Sequence, residues 1–564
     1  MNYMDRYAFW CNAGLPDDVQ EELRSIAGNE EELKGRFGSD LQFGTAGMRG
    51  VMGAGSNRLN RYTVRRAAQG MARWLSGTDL PQIAAIGYDS RHNSQLFAEV
   101  CAVAFAEAGI KTYLYDRLAP TPMLSYAVRS LGCGCGIVIS ASHNSGEYNG
   151  VKCYGPDGCQ MTDEPAAIVT AEIAKIEYFV PEKKSFADYL AEGVICYIDQ
   201  QIWNAYYDTV LAEAIDPDII RRSGLNIVYT PLCGTGNEPV REVLGRLGVN
   251  ISVVGCQEKP DGDFKTCEYP NPETDAALNE SYKVADKVDC DVILGTDPDC
   301  DRVAIAVPSN GKYVKLTGNE LGCLLLDYIL NARTKRGDIP DDAITVRSIV
   351  SSPLADRIAS AYGVTMKAVL TGFKYIGGEI LALEEKGEES KYIFGFEESC
   401  GYLKGTYARD KDAVVASMLV CEMAASLKLQ GITILDALNT LYKTYGQFLS
   451  KVQSVELTGA DAMEKAAKLM ADLRTNVPDA IGGKPVTAML DYKVSVKKDM
   501  VSGVQTTITL PSSNVLEFIL GDSGSVIVRP SGTEPKVKFY YTAVAASKDE
   551  AQKLLEAMMK QMSA

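Results

Sequence analysis

The sequence predicts an α/β protein: three similar βαβ mixed-sheet domains followed by a smaller α+β domain at the C-terminus. Three observations carry this. The chain has 564 residues, too many for a single core, which sets an expectation of roughly three or four domains. Apolar strand-like runs alternate with helix-length amphipathic segments over most of its length. Near residue 450 the pattern changes, and strands follow one another closely.

The elements support this in order. Residues 15–36 ("LPDDVQEELRSIAGNEEELKGR") read as a charged helical leader. The first block has the strand "IAAIGYDS" (83–90), the helix "SQLFAEVCAVAFAEAG" (94–109), and the strands "KTYLYD" (111–116) and "GIVIS" (136–140). The second has "LNIVYTPL" (225–232), the helix "NEPVREVLGRLG" (237–248), "ISVVG" (251–255), "CDVILGTD" (290–297) and "RVAIAV" (302–307). The third has "AITVRSIV" (343–350), the helix "LADRIASAYG" (354–363) and "YIFGFEES" (392–399). Strands separated by helices of this length imply mainly parallel pairing. The tail offers "KPVTAML", "VSVKK", "GVQTTITLP" and "SVIVRPSGTEPKVKFYYTAV", then the helix "SKDEAQKLLEAMMKQM". No sequence repeat accompanies the three blocks.

Composition narrows the function. Hydrophobic residues make up 46% and charged residues 23%, ordinary for a soluble globular protein. The formal charge is −16, from 73 acidic and 57 basic side chains, which argues against nucleic acid as a partner. It leaves room for an anionic small substrate held by a local cluster of Arg and N–H groups. The start shows no basic segment followed by an apolar core, so no signal peptide is expected. No run approaches the roughly 20 apolar residues that span a bilayer. The fifteen cysteines are scattered and lack zinc-site spacing, so reduced thiols and a cytoplasmic location are expected.

Four loops carry chemistry. In "GIVISASHNSGEYNGVKCYGPDG" (136–158) an apolar strand ends in Ser142-His143-Asn144. A strand entering a Gly-rich turn is where α/β proteins present reactive groups. No G-x-S-x-G elbow is present, and on an extended chain adjacent side chains point apart, so His143 is expected to be a poor base for Ser142. A structural turn serine is the alternative. The second loop, "LGTDPDCDRVAIAV", sets Asp297, Asp299 and Asp301 at alternate positions, which an extended loop places on one side. Three such carboxylates repel by roughly a few kcal/mol per pair at short range, and a cation relieves this. All-oxygen ligation favours Mg²⁺. A solvated acidic turn is the alternative, weakened by the apolar strands on both sides. The third loop, "FGFEESCGYLKG", presents Glu397, Glu398 and Ser399, acceptors suited to sugar hydroxyls or simply a surface pair. The fourth, "VIVRPSGTEPKVKF", groups Arg529, Ser531, Gly532 and Thr533, equipment for a phosphate dianion or an ordinary Pro-Ser-Gly turn.

The ordered set resembles the α-D-phosphohexomutase superfamily, from about residue 40 to the end. The motifs are "FGTAGMRG" (43–50), "ASHNSGEYNGVK" (141–152), "GTDPDCDR" (295–302), "TGFKYIG" (371–377), "GFEESCGY" (395–402) and "RPSGTEPK" (529–536). The length, "GFEES" and "RDKDA" (409–413) look most like the phosphoglucomutase-2 and phosphopentomutase branch. The resemblance implies a Mg²⁺-dependent phosphosugar mutase in which Ser142 is a phosphoserine. Glucose 1-phosphate and glucose 6-phosphate would interconvert through glucose 1,6-bisphosphate, which also serves as activator. It further implies that Ser142, Asp297, Asp299 and Asp301 ligate the metal and that Arg49, Lys152 and His143 assist transfer. Lys152 would serve as general acid or base if burial lowers its pKa. Arg302, Lys374, Glu397 and Ser399 would hold the sugar, and Arg529, Ser531, Gly532 and Thr533 the non-reacting phosphate.

The resemblance also implies four domains around a central cleft. These are 1–205 (leader and phosphoserine), 206–318 (metal), 319–448 (sugar) and 449–564 (phosphate), the last expected to move as the intermediate reorients. The expected partner is a small phosphosugar, with neither nucleic acid nor membrane, on a monomer or homodimer. Rival readings are a phosphopentomutase, a phosphomannomutase, a glucose 1,6-bisphosphate synthase, an aspartyl-phosphate hydrolase and a non-catalytic phosphosugar sensor. The sequence departs from the family at Ser145, where proline is usual, which frees one backbone dihedral and adds an N–H donor. Cys159 stands where glycine is common.

Overall fold

The computed structural model describes residues 2–44, 47–457, 462–531 and 536–562. The chain divides into two compact units: Met1–Leu321 with Phe373–Gly431, and Gly322–Gly372 with Ile432–Ala564.

The first unit opens with three helices, Tyr3–Cys11, Asp17–Ser25 and Glu30–Phe37, of which the last two make up the charged helical leader expected over 15–36. The break has a local cause. Gly28 adopts φ +83°, and the side chain of Asn29 accepts from Glu32 N–H to start the third helix. Trp10, Leu23, Leu33 and Phe37 fold into a small separate core with Ala54.

Next comes a six-stranded sheet of β1 (Gly47–Val51), β2 (Ile83–Tyr88), β3 (Lys111–Leu114), β4 (Cys135–Ile139), β5 (Tyr148–Tyr154) and β6 (Ile195–Tyr197), in the order β1-β5-β4-β2-β3-β6. β4, β2, β3 and β6 run parallel, whereas β5 pairs antiparallel with both β4 and β1. The sequence β2–helix–β3 is the predicted βαβ unit. Val64, Met71, Phe97, Phe105, Ile137, Ile139 and Val151 fill its core, where each large apolar side chain contributes about 1.5–3 kcal/mol. Gly47 is required where β1 meets β5: φ is +117°, and a Cβ there would lie 1.8 Å from the Val151 carbonyl oxygen.

A second, five-stranded sheet comprises β7 (Asn226–Thr230), β8 (Asn250–Val253), β9 (Val292–Thr296), β10 (Val303–Ser309) and β11 (Lys312–Lys315), in the order β11-β10-β9-β7-β8. β9, β7 and β8 are parallel; β10 and β11 extend the sheet antiparallel. In the second unit β12 (Ile344–Ser348) pairs parallel with β13 (Thr365–Val369). The first unit contains the antiparallel pair β14 (Tyr392–Glu397) and β15 (Gly401–Lys404) and the almost fully buried helix Ala413–Leu429. Among the described residues no single helix is long and apolar enough to cross a membrane.

The second unit also holds the tail. Its strands are β16 (Gln447–Glu456), β17 (Ala480–Ile481), β18 (Lys484–Pro485), β19 (Ala488–Asp491), β20 (Val496–Asp499), β21 (Gln505–Thr507), β22 (Leu516–Ile519), β23 (Gly524–Pro530) and β24 (Lys536–Ala545). Seven of them form one sheet ordered β16-β24-β23-β22-β19-β20-β21, and β17 and β18 form a short ribbon. Helices Ala462–Thr475 and Lys548–Met562 pack on this sheet through Ala466, Met470, Leu555 and Met558. This is the α+β pattern expected of the tail.

Candidate active site

Three neighbouring strands of the first sheet bring their chemistry to one place. β4 runs into the loop carrying Ser142, β5 carries Lys152, and β1 carries Arg49, with Gly47 opposite Lys152 and Arg49 opposite Gly150. The Ser142 loop is a turn and not an extended run. Ser142 has φ +53°, a left-handed conformation that costs roughly 1–2 kcal/mol for a residue with a Cβ. Its N–H donates to Ser140 Oγ at 2.8 Å. The turn overturns the expectation that Ser142 and His143 point apart: Ser142 Oγ lies 3.0 Å from His143 Nδ1. The same hydroxyl donates to Asp297 Oδ2 at 2.7 Å. Burial, then the Arg302 and Arg49 cations, hold His143 well below the ordinary imidazole range, so the ring is neutral near pH 7.

The residue that holds this loop was not singled out by the sequence. Arg91 is buried and donates to the carbonyl oxygens of Ser142 (2.6 Å), Ser145 (2.6 Å) and Tyr148 (2.9 Å), and to that of Asn144. Its Nε lies 3.4 Å from Asp89 Oδ2, and Phe264 of the second domain lies under its guanidinium at 5.0 Å. The available signal was an Asp and an Arg directly after an apolar strand in "GYDSR".

Asp297, Asp299 and Asp301 are all buried, and one oxygen of each lies within 4.8 Å of the others. Here too the loop is a turn. Cys300 takes φ +55°, and Asp297 Oδ1 accepts from the N–H groups of Asp301 (3.1 Å) and Arg302 (2.9 Å). The carboxylates converge because the turn folds them inward, not because an extended chain alternates. Lys152 Nζ donates to Asp299 Oδ2 at 2.5 Å and to Asp301 Oδ2 at 3.1 Å. Lys411, from "RDKDA", lies 3.2 Å from Asp301 Oδ2 and 3.1 Å from Asp410 Oδ1.

Charge follows from this geometry. Burial, then Asp299 and Asp301, push the Asp297 carboxyl well up. Burial acts the same way on Asp299, but Lys152 overrides it and holds that carboxyl below the usual range. Burial would lower Lys152, yet Asp299 and Asp301 leave its pKa raised, contrary to the lowered value the sequence reading made the condition for a general base. Asp299 Oδ1 and Asp301 Oδ1 are buried without a hydrogen-bond partner. Two orphaned carboxylate oxygens in an all-oxygen cluster fit a hard divalent cation such as Mg²⁺.

The remaining expected residues fall as follows. Arg302 is paired with Glu273. Glu397 ends β14, buried, and its charge acts on Lys411; Ser399 follows in the turn to β15. Lys374 Nζ pairs with Asp163 Oδ1 at 2.8 Å. Its carbonyl accepts from Cys159 Sγ at 3.5 Å, and that sulfur occupies the space a Cβ on Gly377 would need. The turn after β5 thus touches the start of the helix Phe373–Glu384 through the cysteine that stands where glycine is common. Arg49 donates to Asn144 Oδ1 at 2.8 Å. In the second unit Arg529 lies on β23, and Ser531 N–H donates to the Lys536 carbonyl at 2.8 Å. Gly532 and Thr533 lie outside the described residues.

Four family models match the chain in order: phosphoglucomutase/phosphomannomutase α/β/α domain I at residues 40–179, domain II at 204–311, domain III at 317–445 and the C-terminal domain at 464–561. A phosphoglucomutase of Staphylococcus epidermidis is 36% identical over 528 residues, covering 93% of this chain and 94% of that one. Among solved structures, a putative phosphomannomutase from Thermus thermophilus superposes with TM-score 0.68 at 21% identity, over 93% of this chain and 100% of its own. The open form of pp63/parafusin, a phosphoglucomutase from Paramecium, superposes with TM-score 0.67 at 16% identity, over 93% and 94%.

Proposed function

The chain belongs to the phosphoglucomutase/phosphomannomutase family and is a phosphohexomutase, an isomerase; on that premise we propose that it interconverts glucose 1-phosphate and glucose 6-phosphate through a phosphoserine at Ser142. The observation that carries this reading is the strained Ser142, whose hydroxyl sits between Asp297 and His143 beside the carboxylate cluster. Strain of this kind persists only where the surroundings over-determine it, and Arg91 supplies that constraint.

Ser142 passes its phosphoryl group to the free end of the sugar phosphate, giving glucose 1,6-bisphosphate. The bisphosphate reorients, and its other phosphoryl group returns to the serine oxygen. Asp297, Asp299 and Asp301, together with the Ser142 phosphoryl oxygens, are the groups that would hold Mg²⁺. When bound, the cation neutralises charge on the migrating group. Transfer otherwise depends on positioning and charge stabilisation. Lys152, kept protonated by its carboxylate partners, acts as proton donor and cation rather than as resting base. Neutral His143, 3.0 Å from Ser142 Oγ, takes the proton that the attacking sugar hydroxyl loses while Lys152 gives one to the departing Ser142 Oγ, and both transfers reverse when the phosphoryl group returns. Arg49 steadies Asn144 within the loop. Arg302, Lys374, Glu397 and Ser399 take the sugar, and Arg529, Ser531, Gly532 and Thr533 take the non-reacting phosphate.

Functional domains at 1–205, 206–318, 319–448 and 449–564 agree with the order of the four matched segments. A cytoplasmic location is supported by the fifteen free cysteines, most of them buried. The test is Mg²⁺-dependent conversion of glucose 1-phosphate with the bisphosphate added, alongside ³²P labelling of the protein from labelled bisphosphate. Ser142→Ala is expected to lose both turnover and label. Full activity in that variant would remove the phosphoserine reading.

A further inference from the structure

Thr121 begins the helix Thr121–Ser130, on the crossover between β3 and β4, and is fully buried. The mechanism above gives it no part. Yet its Oγ donates to Asp299 Oδ2 at 2.8 Å, and its N–H donates to the Asp299 carbonyl oxygen at 2.9 Å. The second bond has a helical reason. The first N–H groups of a helix lack partners within it. The preceding Pro120 supplies no side-chain cap, so the Asp299 carbonyl takes the Thr121 donor from outside. One residue of the first domain therefore grips both the main chain and the side chain of the middle aspartate in the second.

The grip is directional. Asp299 Oδ2 receives Thr121 Oγ and Lys152 Nζ, while Oδ1 is buried and receives no donor. We propose that Thr121 is a positioning residue for the divalent-cation site, turning the Asp299 carboxylate so that Oδ2 is occupied by protein donors and Oδ1 faces the cation. This rests on reading the three aspartates as the metal site. Groups that orient a metal ligand through a hydrogen bond typically change metal affinity by about 10–100-fold when removed. The hydroxyl, not the volume of the side chain, is the active part.

The experiment measures Mn²⁺ binding to the purified full-length protein by electron paramagnetic resonance of the free ion, without sugar phosphate. Samples are matched for Ser142 phosphorylation by mass spectrometry. Thr121→Val keeps the shape and removes the hydroxyl; Thr121→Ser keeps the hydroxyl and removes the methyl. We expect Thr121→Val to weaken Mn²⁺ binding about 10–100-fold and Thr121→Ser to stay within about threefold of wild type. Equal weakening in both, or wild-type affinity in Thr121→Val, overturns the inference. Should Thr121→Val fail to give the wild-type circular dichroism spectrum, Thr121→Ala takes its place under the same criteria. If the wild type itself binds no Mn²⁺, the metal-site reading falls first, and the role of Thr121 with it.

Discussion

Replacing Arg91 with lysine separates charge from geometry at the Ser142 loop. Lysine keeps a cation for Asp89, whose carboxylate lies 3.4 Å from Arg91 Nε. It cannot reproduce the planar fork that now reaches the carbonyl oxygens of Ser142, Asn144, Ser145 and Tyr148. If two of these four bonds survive, two charge-assisted hydrogen bonds are lost, each worth about 1.5–3 kcal/mol. That is well above the roughly 1–2 kcal/mol that favours Ser142 leaving its left-handed conformation. The loop should therefore relax, carrying Ser142 Oγ away from Asp297 and His143. A displacement of about 1 Å at a reacting group costs on the order of 100-fold in rate. The assay is kcat and KM for glucose 1-phosphate conversion, with hydrogen exchange of the amides in 141–148 read by mass spectrometry. We expect kcat to fall about 100-fold or more, KM to move far less, and exchange in that segment to rise. Arg91→Met should be worse, since breaking a buried ion pair costs about 3–5 kcal/mol. A lysine variant with kcat within about fivefold of wild type, or with faster exchange and undiminished kcat, would refute the reasoning.

Two further outcomes follow from charge. Glu517 on β22 accepts from the Tyr492 hydroxyl at 2.7 Å, and burial pushes its carboxyl pKa up despite that bond. A raised carboxyl favours the folded state most below the unfolded-state pKa, and that advantage is lost as pH rises through the folded pKa. Glu517→Gln should thus be more stable than wild type at pH 8 and equal to it near pH 4, measured by urea midpoints of the transition reporting the second unit; a difference independent of pH would contradict this. At Lys152, arginine preserves a cation for Asp299 and Asp301 but does not release a proton. Lys152→Arg should fold and bind Mn²⁺, yet turn over about 10²–10⁴-fold more slowly if the amine transfers a proton, whereas kcat within tenfold of wild type would make charge alone its contribution.

Much of the fold was legible because strand and helix periods are local properties. "GIVIS" and "IAAIGYDS" announce strands that the structure places side by side as β4 and β2. What periodicity does not contain is partner choice: the antiparallel insertion of β5 between β4 and β1 brings Lys152 and Arg49 together. The helical character of the leader is legible in its charge pattern, which continues across Gly28 and Asn29; its division into two helices at the left-handed Gly28 is not. From sequence the Ser142 and Asp297–Asp301 loops read as extended, because left-handed Ser142 and Cys300 carry none of the glycine that usually marks such a turn. Arg91, Thr121 and Lys411 were missed for another reason. Arg91 and Lys411 do have Asp89 and Asp410 beside them in sequence, but the part each of the three residues plays in the site comes from contacts far along the chain, such as that between Thr121 and Asp299, 178 positions apart.

The same contacts explain why the site and the fold are hard to separate. Three buried carboxylates without cations would be prohibitively unfavourable in a low-dielectric interior. Lys152 offsets Asp299 and Asp301, and Lys411 offsets Asp301 while answering to Asp410. Asp410 in turn accepts from Tyr154 at 2.8 Å and Gln160 at 3.1 Å, both from the first domain, and Arg409 beside it pairs with Glu384 and donates its main-chain N–H to Ser125 Oγ. The "RDKDA" loop is therefore fastened to the β5 region by polar bonds before any substrate arrives. Of these groups only Asp297 gives its second oxygen to the Ser142 hydroxyl, and only Asp299 and Asp301 keep an oxygen without a donor. The network stabilises the folded protein through every other bond it makes, and those two oxygens and that hydroxyl are what it leaves for chemistry.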